Sequence, residues 1–320
     1  MVRFLSAATS VVFFALSTGA SAQEVRLRLV SFLPGNVNFG IPAKRWVDEI
    51  NRRGKGILQV DFVGPEAVPV PEQANAVKTG VVDLHSGPPT FYRGAIIEAE
   101  TLSLSEKSIP ELKKNGAWDF LNKLHAEKLN VTLLTGFGDG VSFHIYSTKP
   151  ANIADKVKPF SGFTLRSPPI YKAFFESLGA QVVSTAPGEV YTALERNMVQ
   201  GYGWPMWGIK DLGWLKLTKF RYDPGFYNVS VNIMINIDRW KKLDKRQQDL
   251  ITQMSAWMDT EWPKWRAETE GQEEKIQMDG GVQVINLGPD LHKRAHDAFW
   301  GELEAASPKN VAMLKKLMTK

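Results

Sequence analysis

Apolar and polar residues alternate along VRLRLV at 25–30, the period-two signature of a strand with one buried face. A loop containing Pro34 and Gly35 follows, and a helical pattern begins near Ile41. Strand, loop and helix in that order open an α/β lobe. The pattern recurs with a predicted strand at 57–63, a Pro-rich loop, a helix over 72–79 and a short apolar run at 81–84. Strands are also predicted at 131–134 and 143–146. FTLR at 163–166, a helix at 171–178, QVVS at 181–184 and a helix at 187–197 then predict a second α/β lobe.

The alternation in NVSVNIMINI, 228–237, predicts a strand that crosses between the lobes, followed by a helical stretch from Leu243 to about Met278. At about 1.5 Å per residue such a helix runs roughly 50 Å and braces both lobes. Pro263 is expected to kink it or split it in two.

Ahead of these elements, Arg3 precedes an apolar run from Phe4 to about Leu16 that ends in Ala20-Ser21-Ala22. This reads as a signal peptide, residues 1–22, cleaved after Ala22. The run is shorter than the roughly 20 apolar residues a membrane span needs, so no direct membrane insertion is expected after cleavage. The chain has no cysteine, which excludes a disulfide framework and a lipid-modified cysteine anchor. The formal charge of +5 is spread among acidic residues rather than gathered into a run, an argument against a nucleic-acid partner. A mild positive field suits small anions as well as it suits a merely soluble surface.

Catalytic signatures are few. GFGDGV at 136–141 has Val141 where the last glycine of a dinucleotide fingerprint would stand, and it reads as a loop. His292 and His296 are four apart, but HKRAH lacks the acidic residue of a zinc hydrolase motif and reads as a solvated helix face. There is no GxSxG elbow and no cysteine nucleophile. No enzyme activity, cofactor or metal is therefore expected. Arg166 stands at the end of a predicted strand, just before two prolines, where a guanidinium can offer a two-pronged fork to a carboxylate or make a surface ion pair. Trp204, Trp207 and Trp214 in GYGWPMWGIKDLGW line a pocket or pack between lobes, and Trp257, Trp262 and Trp265 read as packing residues.

The order of motifs resembles the solute-binding subunit of tripartite ATP-independent periplasmic (TRAP) transporters over nearly the whole chain. SGFTLRSPP is similar to that family's G-x-K-[IL]-R-x-P strand, and EVYTALE at 189–195 is the most specific match. LGAQVV, NIMINIDRWKKLDKRQQDLI and AVKTGVVDL resemble further family segments. The resemblance implies an α/β, two-lobed periplasmic binding protein fold with hinge strands and a bracing long helix. Lobe I would comprise 23–143 plus about 230–269, and lobe II 144–229 plus about 270–320. It implies a periplasmic protein that captures a small organic acid and delivers it to TRAP membrane permease subunits. Competing readings are a binding protein of another uptake or sensing system and a periplasmic hydrolase or lyase.

Carried onto this chain, the family's carboxylate-holding arginine is Arg166, and the position after its VDG-x-E segment is Trp204, with Tyr202 beside it in the same loop. Gln200 and Gly203 depart from the usual aspartate and glutamate, and SFHI at 142–145 lacks the second arginine of some sugar-acid binders. A single cationic anchor implies a monocarboxylate, and the surplus of aromatic residues implies an apolar or planar body. Open α/β sheets place ligands beyond strand C-terminal ends, which nominates Ser31 and Phe32 after the first strand and Phe91 and Tyr92 after Asp83. Asn232, on the crossing strand, is a further hydrogen-bond donor candidate.

Overall fold

The computed structural model describes residues 24–320, so the expected signal segment 1–22 lies outside the described residues. Two sheets form the frame. In the first, β1 (Val25–Ser31) runs parallel to β2 (Leu58–Val63) and β3 (Leu84–Gly87). The strand β10 (Val231–Asn236) inserts antiparallel between β3 and β4 (Val131–Phe137), giving the order β2-β1-β3-β10-β4. The second sheet has the order β11-β9-β5-β8-β6-β7, with β5 (Phe143–Ser147), β6 (Thr164–Arg166), β7 (Gln181–Val183), β8 (Gly201–Pro205), β9 (Phe220–Asp223) and β11 (Gln283–Asn286). This is the two-lobed α/β architecture that the alternating patterns imply.

Segment 201–205 differs from expectation. It reads as a loop in the sequence, yet it is a central strand, antiparallel to β5 and parallel to β6. The glycines hide its period-two pattern, because Tyr202 and Trp204 alternate with positions where no side chain fits. A Cβ on Gly201 would stand 2.3 Å from the Tyr146 carbonyl oxygen, and one on Gly203 would stand 2.6 Å from the Tyr171 ring. The strand near the 81–84 run begins only at Leu84, and β9 and β11 are further strands that the pattern did not reveal.

The chain crosses between sheets along 138–142 and 224–230. These two links pair with each other: Phe143 N donates to Tyr227 O at 2.8 Å, Phe226 N to Phe143 O at 2.9 Å and Val229 N to Val141 O at 2.8 Å. The hinge is therefore a two-stranded ribbon rather than two loose linkers. The third connection is the helix Lys245–Asp279, which starts with a reciprocal cap between Asp244 and Gln247, both bonds 2.9 Å. Ile251, Met254 and Met258 pack in the core with the first sheet. Farther along, Gln277 Nε2 donates to Met206 O of the second lobe at 2.6 Å.

Pro263 lies inside this one uninterrupted 35-residue helix and does not split it. Its neighbours are pinned to a single acceptor of the crossing link: Trp262 Nε1 and Arg266 Nη1 both donate to Asp139 O, at 3.0 and 3.2 Å. The final helix, Pro308–Met318, also departs from a simple division of the chain. Leu314 and Met318 are buried with Trp118 and Leu121 of the first lobe, while Val311 packs with Phe299 of the second. The final helix thus contacts both lobes. Among the described residues no helix is long and apolar enough to cross a membrane.

Candidate functional site

A narrow cavity of about 50 Å³ lies between the lobes. The loops after β1 and β3 contribute Phe32, Thr90 and Phe91; Arg166 and Trp204 come from the ends of β6 and β8; residues 229–231 of the crossing segment form the back wall. Its elements therefore converge through strand C-terminal ends, where neighbouring connections diverge and leave a crevice. A wider groove, sharing Phe32, Thr90, Phe91 and Pro187, leads from it to solvent.

Five of the lining residues are prolines: Pro88, Pro89, Pro168, Pro187 and Pro205. Proline has no N–H, so the backbone offers few donors here and polar recognition falls to side chains. Arg166 is the only charged side chain among the described residues lining the cavity. It is 1% exposed. Its Nε and Nη2 donate to Thr185 O at 3.1 and 2.6 Å, whereas Nη1 has no protein partner among the described residues. The guanidinium also lies 5.9 Å from the centre of the Trp204 ring.

Burial lowers the Arg166 pKa to about 10, with Tyr171 and Glu189 pulling the other way, so the group remains a cation at neutral pH. A carbonyl oxygen carries only part of a negative charge. The site thus holds a buried cation whose free prong lacks an anion, a costly arrangement unless an anion completes it. Two uncharged groups share this condition in part. Thr90 Oγ1 and Ser230 Oγ are buried and belong to cavity-lining residues; Ser230 Oγ makes no hydrogen bond among the described residues, and Thr90 Oγ1 faces the buried Glu100 carboxyl, whose pKa it helps to hold down. Each hydroxyl is able to donate to a ligand oxygen or accept from a ligand hydroxyl.

Four of the nominated residues, Arg166, Trp204, Phe32 and Phe91, come together on the cavity wall. The other four do not line it. Tyr202 is buried in the core, stacked on Tyr146 with centroids 5.2 Å apart, and its hydroxyl is 2.7 Å from Thr218 Oγ1. Ser31 lies within β1, where its carbonyl oxygen accepts from Gln73 Nε2 at 3.0 Å. Tyr92 and Asn232 bind each other inside the first lobe: Asn232 Nδ2 donates to the Tyr92 hydroxyl at 3.0 Å. That hydroxyl is 3.2 Å from His125 Nε2, and His125 Nδ1 is 2.7 Å from Leu121 O. Burial lowers the His125 pKa to about 4, so its ring is neutral. Nδ1 then donates to the carbonyl and Nε2 accepts from Tyr92, so the Tyr92 hydroxyl is committed inside the lobe, while Asn232 keeps its second amide hydrogen and an Oδ1 without a partner among the described residues.

Sequence reading missed Thr90, Ser230, Tyr171 and Phe39 as wall residues. A signal for two of them was present: β3 and β6 both end at a Pro-Pro step, Pro88-Pro89 before Thr90 and Pro168-Pro169 before Tyr171. Trp207 and Trp214 pack behind the wall, and Trp262 is buried in the same core. The His292 and His296 rings stack 4.0 Å apart, but His296 is not on a solvated face: it is partly buried, with Nε2 2.9 Å from Phe226 O. Among the described residues no group of histidine and acidic side chains is arranged to hold a metal ion.

The family model for the bacterial extracellular solute-binding protein, family 7 (DctP), matches residues 37–305. A monocarboxylate 2-oxoacid-binding periplasmic protein of Nostoc sp. is 22% identical over 245 residues, covering 73% of this chain and 66% of the relative. Among solved structures, a TRAP periplasmic solute-binding protein from Roseobacter denitrificans with bound L-galactonate superposes with a TM-score of 0.80 at 18% identity, covering 92% of this chain and 99% of its own. A TRAP transporter solute-binding protein from Bordetella bronchiseptica, with copurified calcium and picolinate, gives 0.79 at 20% identity and 92% coverage of each chain.

Proposed function

The chain belongs to family 7 of the bacterial extracellular solute-binding proteins, the solute-binding subunits of TRAP transporters, and from that premise we propose that its interlobe cavity captures a monocarboxylate with an apolar or planar body. It is a transport protein, not an enzyme. The observation that carries the ligand reading is Arg166, the sole charge among the described lining residues, buried, with one prong of its fork free. A ligand carboxylate supplies the missing anion, and each charge-assisted hydrogen bond it forms is worth about 1.5 to 3 kcal/mol. Trp204, Phe32 and Phe91 supply apolar surface for the body of the molecule. Ser230 awaits a further oxygen, such as a 2-oxo or hydroxyl group. The monocarboxylate 2-oxoacid-binding relative supports a single carboxylate, and the neighbour with copurified calcium and picolinate supports a planar body.

Function requires no covalent step. Ligand contacts from both lobes favour the closed form, because only a difference in affinity between two states shifts their populations. The lobes would move as 23–143 with about 230–269 against 144–229 with about 270–320, in the periplasm, where the closed form docks on TRAP permease subunits.

A thermal-shift screen of residues 23–320 against monocarboxylates, dicarboxylates, sugar acids and neutral sugars tests the reading. A ligand at 100 times its dissociation constant adds about 2.7 kcal/mol and raises the melting temperature by several degrees. Shifts confined to monocarboxylates are expected. If neutral sugars alone shift the transition, Arg166 is no carboxylate anchor.

A further inference from the structure

Away from the cavity's polar groups, the lobes meet through a second set of contacts. Loop 32–39 of the first lobe lies against 204–212 of the second, around a narrow void lined by Asn38, Phe39, Trp207 and Gly208. Asn38 Nδ2 donates to Glu273 Oε1 at 2.8 Å, and Gly208 N donates to Glu273 Oε2 at 3.1 Å. Glu273 is buried near the end of the bracing helix, one residue before Glu274, which pairs with Arg221 of β9 at 3.2 Å. That end of the helix is therefore held by the second lobe, and the bond from Asn38 crosses to it from the first. Beside it the Phe39 and Trp207 rings stack, 5.6 Å between centroids and 12° apart.

The arrangement is joined to the cavity by shared residues. Phe39 lines both spaces, as does Trp204, whose Nε1 donates to Trp207 O at 3.0 Å. Gly208 has a positive φ of 92°, and a Cβ there would stand 3.3 Å from the Asn38 Cβ, so the approach is close and depends on glycine. A carboxylate divided between one N–H from each lobe has both bonds only while the lobes are together. Opening returns it to water, which repays much of the loss and keeps the contact reversible.

We propose that Asn38 and Glu273 form a closure clasp: positioning residues that touch no ligand and set how long a captured molecule is held by stabilising the closed lobes. The inference rests on the binding reading only for the acid that favours closure. Reversal of charge and polarity provides the sharpest variant. Asn38→Asp sets a second carboxylate against Glu273, while adding Glu273→Gln restores a donor and an acceptor in swapped positions.

Because the chain has no cysteine, Val81→Cys and Met198→Cys, both exposed and on different lobes, allow a clean pair of spin labels in the full protein. Interlobe distances are measured by electron–electron double resonance, without ligand and with the acid of largest thermal shift. Asn38→Ala and Asn38→Asp should move the population to longer distances, and the Asn38→Asp/Glu273→Gln pair should restore the shorter one. Stopped-flow binding should show dissociation faster by about tenfold with association unchanged. Unchanged distances in both single variants overturn the clasp, as does a labelled parent that stays open with and without acid. If no acid shifts the parent's melting temperature, the carboxylate reading fails separately, and the ligand-free distances still judge the clasp.

Discussion

Arg166 and Arg221 lie in the same sheet and are buried to the same degree, 1% and 2% exposed. Their surroundings are opposite. Arg221 donates to both carboxylate oxygens of Asp223, at 3.0 and 3.1 Å, and to Glu274 and Gln277, both at 3.2 Å. Burial pulls its pKa down, but Asp223 and Glu274 more than compensate and the net shift is upward. At Arg166 burial wins, leaving about 10. One arginine has its anions built in and locks β9 to the bracing helix; the other has a carbonyl and a free prong in a cavity. A buried cation completed by the protein serves the fold, and one left incomplete is what the proposed carboxylate site requires.

Removing each arginine separates these roles. Arg166→Ala should weaken binding of the cognate acid by about 100-fold or more, since up to two charge-assisted bonds are lost. Melting of the ligand-free variant should be unchanged or higher; titration calorimetry showing near-parental affinity would break the assignment. Arg221→Ala should instead cost about 3 kcal/mol in urea unfolding, because Asp223 loses its fork and keeps only His144, 2.8 Å away. If that variant is as stable as the parent, the contrast between the two sites collapses.

Glu100 tests the argument with the sign reversed. It is fully buried, Arg93 Nε is 3.0 Å away, and neither carboxylate oxygen has a partner of hydrogen-bonding geometry among the described residues. Burial raises its pKa from 4.5 to about 7, with Arg93 opposing. Between those values the folded chain binds a proton that the unfolded chain has lost, so this group's contribution to stability falls as pH rises toward 7 and is level above it. Glu100→Gln should flatten that slope and add about 3 kcal/mol at pH 8, read from denaturant midpoints across pH. A slope identical to the parent's would show that the carboxyl is ionised throughout. The smallest effect is expected from Arg166→Lys, which keeps the charge but loses the fork: about 1.5 kcal/mol in binding.

Much of the frame was legible because its strands alternate where one face is buried, as in VRLRLV and NIMINI. Arg166 stood out at a strand end before prolines, but a surface ion pair fits that position too, and the resemblance to the TRAP solute-binding subunits is what nominates it as a carboxylate anchor. What stayed hidden was orientation. Asn232 and Ser230 are two apart on one crossing segment, yet Ser230 lines the cavity and Asn232 bonds Tyr92 inside the lobe. Tyr202 and Trp204 are likewise two apart, and only the strand-terminal one reaches the cavity. Such differences depend on where the second sheet stops, which is a tertiary fact with no local signature. The continuity of the helix through Pro263 is of the same kind, since Asp139, which takes both neighbouring bonds, is more than a hundred residues away.

The insertion of β10 between β3 and β4 also has a consequence for the order in which the chain acquires structure. During synthesis the first sheet has a missing central strand until Asn236 has left the ribosome, and by then most of the other lobe has already emerged. The first lobe is therefore not available as an early, self-sufficient folding unit. In a nascent chain of this topology it stays incompletely packed for most of the elongation.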